Sequence, residues 1–202
     1  MADFDSRAKD WDAVPGRAER AQAVAAAIRA QVTLSQSMTA LEYGCGTGLL
    51  SFALQAELGH ITLADSSAGM LEVLMEKIAQ GGITNMTPLR LDLAVDSLPA
   101  ERFNLVYTLM TLHHIPDTGK ILGSFHTLLQ PGGILCISDL DKEDGSFHSH
   151  EAAFDGHNGF DRAELGVSLE QAGFTNICFS TCYTLIKDER IYPLFLAVAE
   201  KI

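Results

Sequence analysis

The stretch Leu41-Glu42-Tyr43-Gly44-Cys45-Gly46-Thr47-Gly48-Leu49 sets three glycines at alternate positions after a short apolar run, with a carboxylate two residues ahead of the first. Glycine admits positive φ and lets a ligand reach the main chain with no Cβ in the way. A turn of this kind between a strand and a helix is where an open α/β sheet holds its ligand. Asp65 follows after about 20 residues, the spacing at which an acid reaches a ribose hydroxyl. Two more places carry titratable chemistry. His113 and His114 are adjacent just after an apolar run, and His148, His150 and His157 lie in a polar stretch further on. Imidazole changes charge near working pH, so any of these could serve as a base, meet a substrate or line a pocket. His148 and His150 could also chelate a metal together with His157, but no third ligand is fixed by spacing, and no metal site is expected.

The G-x-G-x-x-G fingerprint of nicotinamide dinucleotide sites needs glycine where Leu49 stands, since the third glycine arrives one residue early. An NAD(P)-dependent oxidoreductase is therefore disfavoured. The G-x-G-x-G form, with Glu42 ahead of it, resembles motif I of the class I S-adenosylmethionine (SAM) dependent methyltransferases. Asp92, in Arg90-Leu91-Asp92-Leu93, matches that family's acid that accepts a hydrogen bond from the adenine amino group. The runs Phe103 to Leu109 and Leu112-His113-His114-Ile115 are similar to its fourth-strand motif, and Leu128-Leu129-Gln130-Pro131-Gly132-Gly133-Ile134-Leu135 resembles its turn into strand five. Phe4 to Asp12 looks like the segment that methyltransferases of the ubiquinone and menaquinone biosynthesis type fold over the cofactor, with an aromatic where Trp11 stands.

The resemblance implies SAM as cofactor, its amino-acid end along the glycine turn and Glu42 organising that region. Trp11, Glu42, Gly44, Cys45, Gly46, Thr47, Gly48, Asp65, Ser66, Met70, Asp92, Leu93, Thr108 and Leu109 are the expected cofactor residues, the last two through backbone groups. His113, His114 and His148 are the candidate catalytic residues on the acceptor side. A His148→Ala change is expected to slow turnover without weakening cofactor binding.

These residues need a scaffold. Short apolar runs at Thr39 to Tyr43, Ile61 to Ala64, Met86 to Leu91, Phe103 to Leu109 and Ile134 to Ser138 read as strands. Between and before them, Pro15 to Ala30, Leu49 to Leu58, Ala68 to Gln80 and Thr118 to Leu129 carry apolar residues at helical spacing. The alternation argues a parallel sheet covered on both faces. Asp141 to Gly159 has no sustained period and reads as a loop or small lid. A helix over Arg162 to Gln171, closed by Gly173, then precedes strands Phe174 to Leu185 and Ile191 to Ala199, joined so tightly that they must be antiparallel. The family topology is an α/β, Rossmann-like fold with a seven-stranded, mostly parallel sheet of order 3-2-1-4-5-7-6, strand seven antiparallel. One domain over residues 1–202 is expected, with 1–14 as an N-terminal lid and 140–160 as a loop over the substrate site.

Composition narrows the acceptor. With 202 residues, 47% hydrophobic, the chain can bury one sizeable core. Its formal net charge of −12, with no Lys/Arg cluster, opposes binding to nucleic acid or an anionic membrane. Tyr107-Thr108-Leu109-Met110 also lacks the Asn/Asp-Pro-Pro-aromatic tetrapeptide of amino-directed DNA methyltransferases. No apolar stretch reaches the roughly 20 residues of a membrane span. Four cysteines with no CxxC pair, and an acidic start with no apolar leader, suit a reducing cytoplasm. The expected partner is a small-molecule acceptor, with O, N, C and S all open and the oligomeric state unread. The alternative is a SAM-binding module without catalysis that acts through another protein.

Overall fold

Residues 4–150 and 154–202 are described in a computed structural model of the chain. Five apolar runs form the parallel part of the sheet: β1 (Thr39–Tyr43), β2 (His60–Asp65), β3 (Met86–Arg90), β4 (Phe103–Leu109) and β5 (Leu129–Leu140). β1 and β4 are buried along nearly their whole length because helices cover both faces, which is why their sequences are apolar without alternation. The order is β3-β2-β1-β4-β5-β7-β6, where β6 is Phe174–Lys187 and β7 is Arg190–Lys201. β7 runs antiparallel to both β5 and β6, as a hairpin closed by Asp188 and Glu189 at positive φ requires. Order and strand directions match the expectation drawn from family topology.

The two-residue period of the strands splits the core in two. Leu41, Val106 and Ile137 point to the face covered by α5 (Thr118–Leu128) and α6 (Arg162–Gln171), where Phe125, Leu128, Leu165 and Leu169 bury against them. Ala40, Leu105 and Tyr107 point the other way, onto α2 (Arg17–Gln31), α3 (Leu49–Leu54) and α4 (Ala68–Gly81). Ser67 caps α4 by accepting from the Met70 N–H, and Asp117 caps α5 by accepting from that of Lys120.

The elements depart from the sequence reading at several boundaries, the largest at β5, which starts at Leu129 rather than Ile134. α2 begins at Arg17 rather than Pro15, since Gly16 adopts φ +82° and cannot continue a helix. α3 ends at Leu54 and gives way to a 3₁₀ turn over Gln55–Glu57. The stretch after β5 is tied at its base, where Lys142 N–H donates to Phe160 O and Glu143 N–H to Asn158 O. Phe147 seats it on a small apolar cluster with Leu140, Tyr192 and Leu194. The N-terminus adds a short helix, α1 (Phe4–Arg7), and a 3₁₀ turn over Ala8–Asp10. Of the expected lids, Met1 to Asp3 and Glu151 to Ala153 lie outside the described residues.

Candidate active site

The glycine turn leaves β1 for α3 with Gly44, Gly46 and Gly48 all at positive φ. Gly44 and Cys45 donate their N–H groups to the Ala64 carbonyl, and Gly46 N–H donates to Asp65 Oδ2 at 2.7 Å. A Cβ on Gly44 would stand 2.2 Å from the Thr111 side chain, whose hydroxyl donates to the Gly44 carbonyl, so no other residue fits there. A Cβ on Gly46 would instead project into the crevice between Trp11 and Met70.

Two acids flank this turn and do different work. Asp65 also accepts from Ser67 N–H at 2.9 Å; burial pushes its carboxyl up, and the backbone N–H bonds partly offset this. A carboxylate has about four acceptor sites, so Asp65 keeps capacity for a ligand hydroxyl pair. Glu42 is buried behind the turn, where it accepts from the Ser51 N–H and hydroxyl, and that hydroxyl meets Tyr107 Oη at 2.5 Å. Burial raises the Glu42 carboxyl to about 8, against which the Ser51 bonds work. It ties β1 to α3 through Ser51.

The turn opens on a cavity of about 840 Å³. Of the expected cofactor residues, Trp11, Glu42, Gly44, Cys45, Gly46, Thr47, Asp65, Ser66, Met70, Asp92 and Leu109 line it. Gly48, Leu93 and Thr108 stand off its wall. Gly48 caps the start of α3, where a Cβ would meet Leu74 and Leu63; Leu93 is buried in the core with its N–H donated to Tyr43 Oη; the Thr108 side chain is buried within the sheet. The N-terminal segment roofs the cavity. Asp5 accepts from the Ser67 hydroxyl and the Gly69 N–H, and Asp12 accepts from Thr47 Oγ1 at 2.5 Å and pairs with Lys77 at 2.6 Å. Arg17 stacks on Trp11 at 3.4 Å and donates to its carbonyl.

At the opposite end from Asp92, three histidines meet. His113 and His114 occupy a 3₁₀ turn (Leu112–His114) just past β4, and His148 arrives from the stretch after β5. The His113 and His114 rings lie 4.1 Å apart, and the His148 ring is 5.2 Å from each. Phe154 stacks on His148 at 3.9 Å, and Phe4 of the roof closes edge-on against His114. His114 is driven down to about 3, by burial first and then by its two imidazole neighbours, so it is neutral at working pH. His150 pairs loosely with Asp188 on the surface, and His157 turns away to the carbonyls of Ile115 and Pro116. The grouping of His148 with His150 and His157 is thus not formed.

Sequence reasoning missed Asp139. It ends the apolar run of β5, is fully buried, and holds His113 Nδ1 at 2.6 Å while accepting the His113 and Leu140 N–H groups. Burial alone would raise its carboxyl, but the charge and hydrogen bonds of His113 and the backbone donors win and hold it below the ordinary range. An acid directly after Ile134 to Ser138 was the available signal. Nothing local marked Tyr183, Lys187 and Arg20, which also line the cavity. Tyr183 and Lys187 have the Tyr-x-x-x-Lys spacing of short-chain dehydrogenases, but on extended β6, where four residues span about 13 Å.

Residues 17–178 match the model of a methyltransferase domain. The chain belongs to that family. A ubiquinone biosynthesis O-methyltransferase of Coxiella burnetii is 27% identical over 146 residues, covering 70% of this chain and 62% of that protein. The chain thus spans about three-fifths of the length of such curated relatives. Among solved structures, a SAM-dependent methyltransferase from Aquifex aeolicus superposes with TM-score 0.74 at 20% identity, covering 98% of each chain. The methyltransferase partner in a complex with the Trm112 activator of Haloferax volcanii gives TM-score 0.78 at 18% identity, covering 98% of this chain and 97% of that one. These likenesses show the Rossmann-like methyltransferase fold over nearly the whole chain.

Proposed function

We propose that this chain transfers the methyl group of SAM to a proton-bearing heteroatom of a small-molecule acceptor. One observation carries the reading: His113, with Nδ1 held by buried Asp139, has a buried Nε2 with no hydrogen-bond partner among the described residues, beside the same cavity that the glycine turn opens on. The residues fit the cofactor. The crevice beside Gly46 is open to the main chain, Asp65 has acceptor sites left, and Asp92 lines the same wall. SAM supplies an electrophilic methyl on a sulfonium, displaced in line, so the protein's contribution is positioning, shelter from water and a place for a proton.

Asp65 and Asp92 hold the sugar and the purine. The roof formed by Phe4, Trp11 and Asp12 excludes solvent. Asp139 fixes the ring orientation of His113 and accepts from Nδ1–H, which leaves Nε2 as the basic nitrogen for the acceptor's proton. Asp139 is a positioning residue in this reading, and neutral His114 lines the chamber.

The experiment measures S-adenosylhomocysteine formation over a panel of phenols, carboxylic acids and amines. With an acceptor in hand, His113→Ala is expected to lower kcat by about 10²- to 10⁴-fold, the usual worth of a positioned base, while SAM affinity stays within two-fold of wild type, an expectation set at about that size. Asp139→Asn is expected to lose part of that rate and to move the pH profile. Full turnover in His113→Ala would remove His113 as the base.

A further inference from the structure

We propose that His113, His114 and His148 together form a site for one divalent transition-metal ion of zinc type, with a coordination position open toward the acceptor. The inference rests on the methyl-transfer reading and deepens it by naming what meets the acceptor's heteroatom. One ring nitrogen from each histidine lies within 4.8 Å of the others. Tetrahedral imidazole ligands at bonds of about 2.0–2.1 Å stand about 3.4 Å apart, so small side-chain rotations bring the three onto one ion.

Three features favour an ion over mere packing of rings. The carboxylate of Asp139 holds Nδ1 of His113, the arrangement that orients a metal-binding imidazole and presents Nε2 as the ligand. That Nε2 is buried without a hydrogen-bond partner among the described residues, which an ion would resolve and an apolar contact would not. Asp139 is itself a fully buried acid behind this imidazole, so its negative charge favours a cation at the far ring nitrogen. The rings are also fixed from behind. Phe154 stacks on His148, Phe147 stands edge-on to His113, and Gly156 lets its loop come so close that a Cβ would sit 2.1 Å from the His113 carbonyl.

Three protein ligands with a fourth position open is the pattern of a catalytic rather than a structural site. An acceptor hydroxyl bound there loses its proton to solvent at lower pH, because the ion stabilises the oxyanion. The oxygen lone pair then forms the new C–O bond as the C–S bond breaks, and its electron pair remains on sulfur, leaving a neutral thioether. In the metal-loaded protein His113 is a ligand and the ion does the work assigned to the free base. The acceptor class this selects is one with an acidic oxygen, such as a phenol or carboxylic acid.

The test titrates Co²⁺ into the full chain after dialysis against a chelator and follows ligand-field absorption, with Zn²⁺ calorimetry in parallel. Expected are one ion per chain, loss of the bands in His114→Ala and His148→Ala, retention in the control His150→Ala, and an affinity about 10- to 100-fold weaker in Asp139→Asn. SAM calorimetry on each variant reports that the cofactor crevice is intact. No absorption band in wild type, or bands that persist in both His114→Ala and His148→Ala, overturns the site. Turnover that survives chelation in the absence of any cobalt signal overturns the metal and leaves His113 as the base. A cobalt signal lost in the two variants, in a chain that methylates no acceptor, upholds the metal and removes the base.

Discussion

The two ends of the cavity are built by opposite means. At the glycine turn the polar groups satisfy one another over a short stretch of chain: Gly46 N–H and Ser67 N–H bond Asp65, and Gly44 and Cys45 N–H bond Ala64 O. At the histidine end, the groups come from the end of β4, the end of β5 and the N-terminal roof, and His113 Nε2 is left buried without a partner among the described residues. The first end is a finished socket that needs only a ligand of the right shape. The second keeps an unmet demand for a proton or an ion, which is how a reactive centre differs from a binding one. Variants at the two ends should therefore fail differently, in affinity at one and in rate at the other.

The largest effect on affinity is expected at Asp65. In the proposed reading Asp65 accepts from a hydroxyl pair of SAM, so removing it forfeits two charge-assisted bonds of about 1.5–3 kcal/mol each, and Asp65→Ala should weaken SAM binding by more than about 100-fold. Asp65→Asn keeps the bulk beside Gly46 and should lose less. Isothermal calorimetry settles it: SAM affinity in Asp65→Ala equal to wild type would erase the socket half of the contrast.

The same contrast explains what could be read from the chain. Glu42, the three glycines and Asp65 form one strand-turn-helix-strand unit, so local spacing located the turn and Asp65, the family resemblance added Glu42, and near-continuous apolar strands identified a parallel sheet. Three expected cofactor residues stand off the wall for equally local reasons. The family resemblance sets Gly48, Leu93 and Thr108 beside the crevice, but it does not say that the first caps a helix facing Leu74 or that the side chains of the other two are turned into the interior. The histidine end was only half legible. His113, His114 and His148 were recognisable as candidates, yet their meeting depends on Phe147 seating its loop on Tyr192 and on Gly156 packing under His113. Asp139 read as the first residue of the loop after strand five and was not singled out, because its function lies in a bond across 26 residues.

A smaller, pH-dependent effect sharpens the description of the socket. Glu42 ionises near 4.5 when exposed and near 8 when folded, so between those values the folded chain holds a proton that the unfolded chain has released. Stability therefore falls as pH rises through that window and levels off above it. A ten-fold change in proton affinity is worth about 1.4 kcal/mol, and for a chain of this size each kcal/mol moves Tm by about 2–4 °C. Glu42→Gln keeps an acceptor for Ser51 and removes the titration. It should raise Tm at pH 8.5 by at least about 3 °C over wild type and change it little at pH 5. Equal Tm differences at both pH values would mean that Glu42 is ionised in the folded chain and that the socket carries charge behind the turn as well as in front.

The smallest effect belongs to the roof, which joins the two ends. Asp12 grips Thr47 of the glycine turn and Lys77 of α4, while Phe4 on the same segment touches His114. The Asp12–Lys77 pair is about a third exposed on the Asp12 side, so its net worth is about 0–1 kcal/mol and salt screens it. Asp12→Ala should hardly move Tm, and should raise the SAM dissociation rate by about five-fold at most, an increase that high ionic strength largely reproduces in wild type. Stopped-flow release of SAM reads this directly. A dissociation rate unchanged in Asp12→Ala and Lys77→Ala would shift the roof's hold to the Arg17–Trp11 stack, where a cation 3.4 Å over the indole depends less on solvent screening. Arg17→Ala would then release SAM faster than either, and the socket and the histidine chamber would be coupled through an aromatic contact and not through the carboxylate latch.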